Sequence, residues 1–271
     1  MTTTGDASDR PLDSEIPRPN YYHVEHVMGT VFEITVYDKL LSEVSFRKIT
    51  ERISIEWNKI DFLFSTYKDD SLLSKYRQGL ILDNELPQEF KEVYDLCHLA
   101  CVKSNGYFNP WRMPGGYDPT GLVKGWSLET IVPYFLDANV KCFMINAGGD
   151  IKTYGLPKNQ DSWQIGIQHP WDTNSLACVI STLDSVATSG DYQRPGQLID
   201  PSTMAPTKVV ASVTVTGPNL ALADAYATGL AVAGIENMEW IYDIDGYEAY
   251  VLGLNGEEIK TDNLKILENE N

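Results

Sequence analysis

The sequence predicts one α+β domain, built on a largely antiparallel sheet with flanking helices. Three observations carry this expectation. Stretches with strand-like alternation and stretches with helical spacing are interspersed along 271 residues, a length suited to one large domain or two small ones. No Gly-x-Gly-x-x-Gly opens a helix after a strand, which argues against a dinucleotide-binding parallel sheet. No linker-like run, low-complexity tract or internal repeat divides the chain.

Residues 1–19 carry almost no apolar material and set Pro11, Pro17 and Pro19 among charges, the pattern of a flexible acidic tail. Residues 22–37 read as strands, because Phe32, Ile34 and Val36 alternate with Glu33 and Thr35. Leu41, Val44, Ile53, Trp57, Ile60 and Phe64 then follow helical spacing on a long amphipathic segment. A second helix is expected over residues 88–103, with Phe90, Val93, Cys97 and Cys101 on one stripe. A third begins after Lys124 and stops near Asp137-Ala138-Asn139. Strand-like runs follow at Cys142 to Ala147, Trp163 to Gln168, Cys178 to Leu183 and Val209 to Val215. Asn219 offers an N-cap to the apolar helix Leu220 to Gly234. Tyr247 to Leu254 reads as the last strand, so residues 20–265 make the domain and 266–271 a frayed end.

Composition narrows the function. Apolar residues make up 43% and charged residues 22%, so a packed core is expected. Lys and Arg total 21 against 38 Asp and Glu, a formal charge of −17. Nucleic acids and anionic membranes are poor partners for such a chain, because both are held through an excess of cations. The polar, acidic N-terminus has no apolar core of a signal peptide, and no stretch approaches the ~18 apolar residues of a membrane span. Four cysteines without a Cys-x-x-Cys pair fit reduced thiols in a cytoplasmic protein.

Four local signals suggest chemistry, each with an ordinary reading beside it. Asn146-Ala147-Gly148-Gly149-Asp150 follows an apolar strand. Its glycines could bring backbone N–H groups to an anion, with Asp150 at the loop tip, or simply make a turn. Ala187-Thr188-Ser189-Gly190-Asp191 could hold a phosphate or hydroxylated ligand, or be a plain loop. Asp224 and Thr228 lie one helical turn apart on one face, able to offer oxygen to a hard cation. Alternatively, Asp224 satisfies nearby backbone in the first turns. Asp118 to Gly125 combines a carboxylate, a flexible Gly121 with an accessible carbonyl, and Lys124 near a helix start. That lysine suits a phosphate or a solvated surface.

These signals occur together and in a familiar order. From about Tyr21 to about Leu254 the chain resembles the FAD:protein FMN transferases of the ApbE type. The matching segments begin with Met28-Gly29-Thr30, Phe64 to Tyr67, Asp70 to Ser74 and Gly106 to Pro110. Asp118 to Gly125, Asn146 to Asp150, Ala187 to Asp191 and Ile199 to Thr203 follow, then Ser212 to Val215 leading to Asp224, Ala225 and Thr228. The resemblance implies an ApbE-like, T-fold-related domain. It also implies Mg²⁺-dependent transfer of FMN from FAD to a Thr or Ser hydroxyl of an acceptor flavoprotein, with release of AMP. Gly121 through its carbonyl, Asp224 and Thr228 match metal positions. Met28, Tyr67, Tyr107, Phe108, Asn109, Asp118, Lys124 and Ile199 match FAD contacts. Asp224, Thr228 and Lys124 are the expected catalytic residues.

The chain departs from the family at two places. Gln197 stands where many members carry histidine before the Ile-Asp-Pro turn, and glutamine cannot act as a general base. Ala227 stands where some members carry a third metal carboxylate. Two alternatives to transfer follow, Mg²⁺-dependent FAD hydrolysis to FMN and AMP, or FAD binding without catalysis. His169, His23 and His26 have no evident partner in the sequence, and Trp111 and Trp126 could stack on the ligand or fill the core.

Overall fold

Two tight hairpins set one end of the main sheet. β1 (Tyr21–Val27) and β2 (Thr30–Val36) are joined by Met28 and Gly29, whose φ values are 53° and 72°. Positive φ at both central residues is what a two-residue hairpin turn with the strands' own twist demands. After α1 (Glu43–Phe64), α2 (Leu72–Arg77), α3 (Gln88–Lys103), α4 (Thr120–Glu129) and α5 (Val132–Asp137), the device recurs. β3 (Phe143–Ala147) and β4 (Asp150–Tyr154) turn at Gly148 and Gly149, with φ 60° and 102°. Phe32 pairs with Ala147, so the two turns lie side by side. A Cβ on Gly148 would stand 2.7 Å from the Thr30 hydroxyl.

The remaining strands are β5 (Trp163–His169), β6 (Asp172–Thr182), β7 (Ser185–Ser189), β8 (Ile199–Asp200), β9 (Ala205–Pro206) and β10 (Val210–Gly217). They are followed by α6 (Leu220–Ala233), β11 (Glu248–Gly253), β12 (Glu258–Lys260) and β13 (Ile266–Leu267). The computed structural model describes residues 18–191 and 196–267. Eight strands form one sheet in the order β1-β2-β3-β4-β7-β10-β11-β12, with every pairing antiparallel. The larger core joins the helices to one sheet face through Phe32, Trp57, Phe90, Trp126, Val213 and Ala225. A smaller core joins the other face, through Val186, Tyr250 and Leu252, to the three-stranded sheet β13-β6-β5. Between these layers β10 is buried along its whole length.

The expected α+β class and antiparallel sheet are present. Asn219 caps α6, its side chain accepting from the Leu222 N–H at 3.0 Å. Some expectations change. The third helix starts at Thr120, not after Lys124, and breaks into α4 and α5. Ile266 and Leu267, placed in the frayed end, pair with Ile180 and Val179. The rest of that end and residues 1–17 of the expected tail lie outside the described residues.

Candidate functional site

The floor of the site is a helix crossing. A Cβ on Gly125 would stand 2.5 Å from the Leu220 carbonyl oxygen, and one on Gly121 3.2 Å from the Thr228 hydroxyl. Contacts in that order mean that α4 and α6 run in opposite senses. Glycine is needed at 125 for close approach, and Gly121 is helical rather than a flexible loop residue. The crossing brings Asp224 to α4, where its Oδ2 accepts from the Gly125 N–H at 3.4 Å.

Asp150 reaches the same place from the sheet. It opens β4 on the face that carries the helices, fully buried instead of at a loop tip. Its Oδ1 accepts from the Thr188 N–H at 3.3 Å, and its Oδ2 lies 2.9 Å from Lys124 Nζ. Asp224 is only 4% exposed. Burial, and then the adjacent Asp150 carboxylate, push the Asp224 carboxyl well above its usual range, while Lys124 and the Gly125 N–H oppose that shift. From the last residue of β7, the Ser189 hydroxyl lies 3.1 Å from that of Thr228.

This donor set fits a hard cation. Among the described residues no three His, Cys, Asp or Glu side chains gather into a metal cluster. The oxygens on offer are the Asp224 carboxylate and the Thr228 hydroxyl, with Gly121 lining the same cleft, and two buried carboxylates face one ammonium. Mg²⁺ commonly takes one or two carboxylates and fills its shell with other oxygens and ligand phosphates.

Above the floor opens a cleft of about 810 Å³, large enough for a nucleotide-sized ligand. Every residue that the resemblance assigns to FAD or metal lines it: Met28, Tyr67, Tyr107, Phe108, Asn109, Asp118, Gly121, Lys124, Ile199, Asp224 and Thr228. The β1–β2 turn supplies Met28, and Tyr67 stands 91% exposed. Asp118 is held from two sides. Arg77 Nη2 lies 3.0 Å from its Oδ2, and its Oδ1 accepts from the Thr120 N–H at 3.0 Å and the Thr120 hydroxyl at 2.6 Å.

Several candidates fall elsewhere. Trp111 packs among Tyr94, His98 and Tyr117, and Trp126 donates to Glu92 while meeting Phe64 edge to face, so both belong to the core. His169 sits against Trp171, and His23 beside Glu25. Sequence reasoning missed Asp150 as a partner of Lys124, and it missed Arg77. The Asn-Ala-Gly-Gly-Asp signal held the clue to Asp150. A two-residue turn returns the chain at once, so its second flanking residue starts a strand inside the fold.

Comparison with known proteins agrees with this picture. The model of the ApbE family matches residues 116–251. An FAD:protein FMN transferase from Vibrio cholerae is 35% identical over 130 residues, which are 44% of this chain and 39% of the relative. One from Escherichia coli K12 is 26% identical over 179 residues, 61% of this chain and 51% of the relative. The chain thus spans about half, or less, of these relatives' length. The solved flavin transferase ApbE from Vibrio cholerae superposes with a TM-score of 0.73 at 22% identity, covering 89% of this chain and 96% of that one. The ApbE protein from Thermotoga maritima gives 0.77 at 21% identity, covering 89% and 97%. Those two structures share the fold, and the family model spans half of the sequence, including Lys124, Asp150 and Asp224: the chain belongs to the ApbE family.

Proposed function

We propose that this protein transfers FMN from FAD to a Thr or Ser hydroxyl of an acceptor flavoprotein, with Mg²⁺ present and AMP released. One observation carries the reading. The positions implied for FAD line a single cleft, and Lys124, Asp150 and Asp224 converge at its floor. The printed names of the relatives, FAD:protein FMN transferase, support it. A cytoplasmic setting belongs to the same reading, supported by four free thiols.

Asp224, Thr228 and the Gly121 carbonyl would hold Mg²⁺, which when bound supplies positive charge against the diphosphate. Lys124 adds a second positive charge there, as a point cation suited to phosphate. Asp150 keeps that ammonium at the floor, 2.9 Å away. The walls from Met28 to Thr30 and from Tyr107 to Pro110 fix the nucleotide and limit the entry of water. The acceptor hydroxyl attacks the FMN phosphorus, its phosphoester bond forms as the bond to AMP breaks, and its proton passes to solvent. Such transfer is mostly positioning and electrostatics.

Gln197 favours a second reading. Its Nε2 donates to the Gly190 carbonyl at 2.9 Å, so this side chain staples a loop and can accept no proton as a base. A base contributes about 10²–10⁴-fold, so its absence slows transfer without abolishing it. FAD hydrolysis and mere FAD binding are the competitors. Incubation with FAD, Mg²⁺ and an acceptor carrying an Asp-x-x-Ser/Thr-Gly-Ala-Thr-like segment separates the three. A fluorescent acceptor band in a denaturing gel means transfer. FMN and AMP without a band mean hydrolysis, and bound FAD without products means a binder.

A further inference from the structure

Two loops contribute to the walls of the cleft. One runs from Tyr107 to Pro114 between α3 and α4, and the other from Gly196 to Pro201. The second leads into β8 and β9, a pair of two-residue strands that joins neither larger sheet. So short a ladder has little stability of its own. Its backbone bonds are few, the Met204 N–H to the Asp200 carbonyl at 2.7 Å and the Thr207 N–H to the Leu198 carbonyl at 2.9 Å among them.

Arg112 crosses from the first wall to this hairpin. Its Nε donates to the Pro201 carbonyl at 2.6 Å and its Nη2 to the Ser202 carbonyl at 3.4 Å, 89 and 90 residues along the chain. Among the described residues the basic groups that line the cleft face carboxylates, Lys68 facing Asp61 and Lys124 facing Asp150, and Arg77 faces the lining Asp118. Among the described residues Arg112 has no such ion pair and spends its fork on two consecutive carbonyls. Hydrogen bonds from a charged donor are stronger than neutral ones, and a guanidinium grips two acceptors in fixed geometry where an ammonium cannot.

We propose that Arg112 is a positioning residue, a brace that ties the β8–β9 hairpin to the 107–114 loop and so fixes the width of the cleft around Ile199. The brace stands on hydrogen bonds alone. Its consequence for ligand binding rests on the FAD reading given above. The fork and not the charge does the work, so lysine at this position fails as alanine does.

The test uses the full chain and two variants, Arg112→Ala and Arg112→Lys. Hydrogen exchange of the ligand-free proteins reads the Met204 and Thr207 amides, and fluorescence titration reads the FAD dissociation constant with Mg²⁺. Both variants are expected to speed exchange at those amides roughly tenfold, in line with loss of a hydrogen bond to a charged group. Both are also expected to weaken FAD binding severalfold, with exchange in α1 and β10 unchanged. Unchanged exchange at Met204 and Thr207 overturns the brace. A lysine variant equal to wild type in both readouts shows that charge alone matters, and also overturns it. Faster exchange with unchanged FAD affinity overturns the positioning role. Failure of the wild type to bind FAD refutes the proposed function and the ligand half of the inference, while exchange still reads the brace.

Discussion

Gly125→Ala perturbs the site without touching a ligand group. The new Cβ would lie 2.5 Å from the Leu220 carbonyl oxygen, 2.8 Å from its carbon and 3.0 Å from the Ala221 Cα. All three are backbone atoms, so no side chain can swing away, and α4 and α6 must part. Reaching ordinary contact requires a shift of roughly 1 Å, and an overpacked core of this kind costs about 1–3 kcal/mol. Alanine returns about 1 kcal/mol of helix propensity. The net loss is therefore modest, about 2 kcal/mol at most, seen as a lowering of Tm by several degrees. The effect on chemistry is larger, because α4 carries Lys124 and α6 carries Asp224 and Thr228. A misplacement of ~1 Å can cost on the order of 10²-fold in rate. AMP release from FAD with Mg²⁺, followed beside thermal unfolding, measures both. A variant with wild-type rate and wild-type Tm would show that the helices do not meet as described.

The structure changes the expectation for Lys124→Ala, since the ammonium also faces the fully buried Asp150. FAD binding should weaken roughly tenfold or more, and Tm should fall too, because breaking a buried pair strands a charge; calorimetry and FAD titration check both. Asp224→Asn should abolish AMP release yet unfold no lower than wild type without Mg²⁺, since the buried carboxyl already disfavours its charge. Saturating Mg²⁺ should raise the Tm of the wild type only, by the equivalent of about 2.7 kcal/mol at 100-fold excess over the dissociation constant; a thermal shift shared by the variant would place the cation elsewhere. Burial pushes the Cys97 thiol up to about 12, so alkylation at pH 8 should label half-buried Cys101 before Cys97 in the folded protein. Folding favours the protonated Cys97, so its contribution to stability is constant below the ordinary value of 9.0 and declines as pH climbs towards about 12; denaturant midpoints across that range test the sign.

What the sequence made legible were elements whose burial follows one period. The alternation of Phe32, Ile34 and Val36, the Ile53, Trp57, Ile60 and Phe64 part of the α1 stripe and the Asn219 cap appear where expected, whereas Leu41 precedes α1 and Val44 faces solvent. The one-turn spacing of Asp224 and Thr228 places both in the cleft. The start of α4 was hidden because Gly121 and Gly125 look like loop residues, and their reason for being glycine lies on another helix. β7 reads as polar because Ser189 turns its hydroxyl to Thr228 and Thr188 turns its own to Thr214, which breaks the apolar alternation of a buried strand. Asp150 could not be joined to Lys124 from spacing, since β4 and α4 come into contact only when the sheet and the helices pack together. Arg77 belongs to a helix of six residues, too short to announce a face.

The proposed transfer requires one cleft to hold both FAD and a divalent cation. The most direct measurement is a time course of AMP and of flavin-labelled acceptor, with FAD and Mg²⁺, for the wild type and Asp224→Asn. Equal amounts of AMP and labelled acceptor from the wild type, and neither from the variant, are the predicted result. Tight FAD binding by the wild type with neither product, or equal production by both proteins, would contradict it.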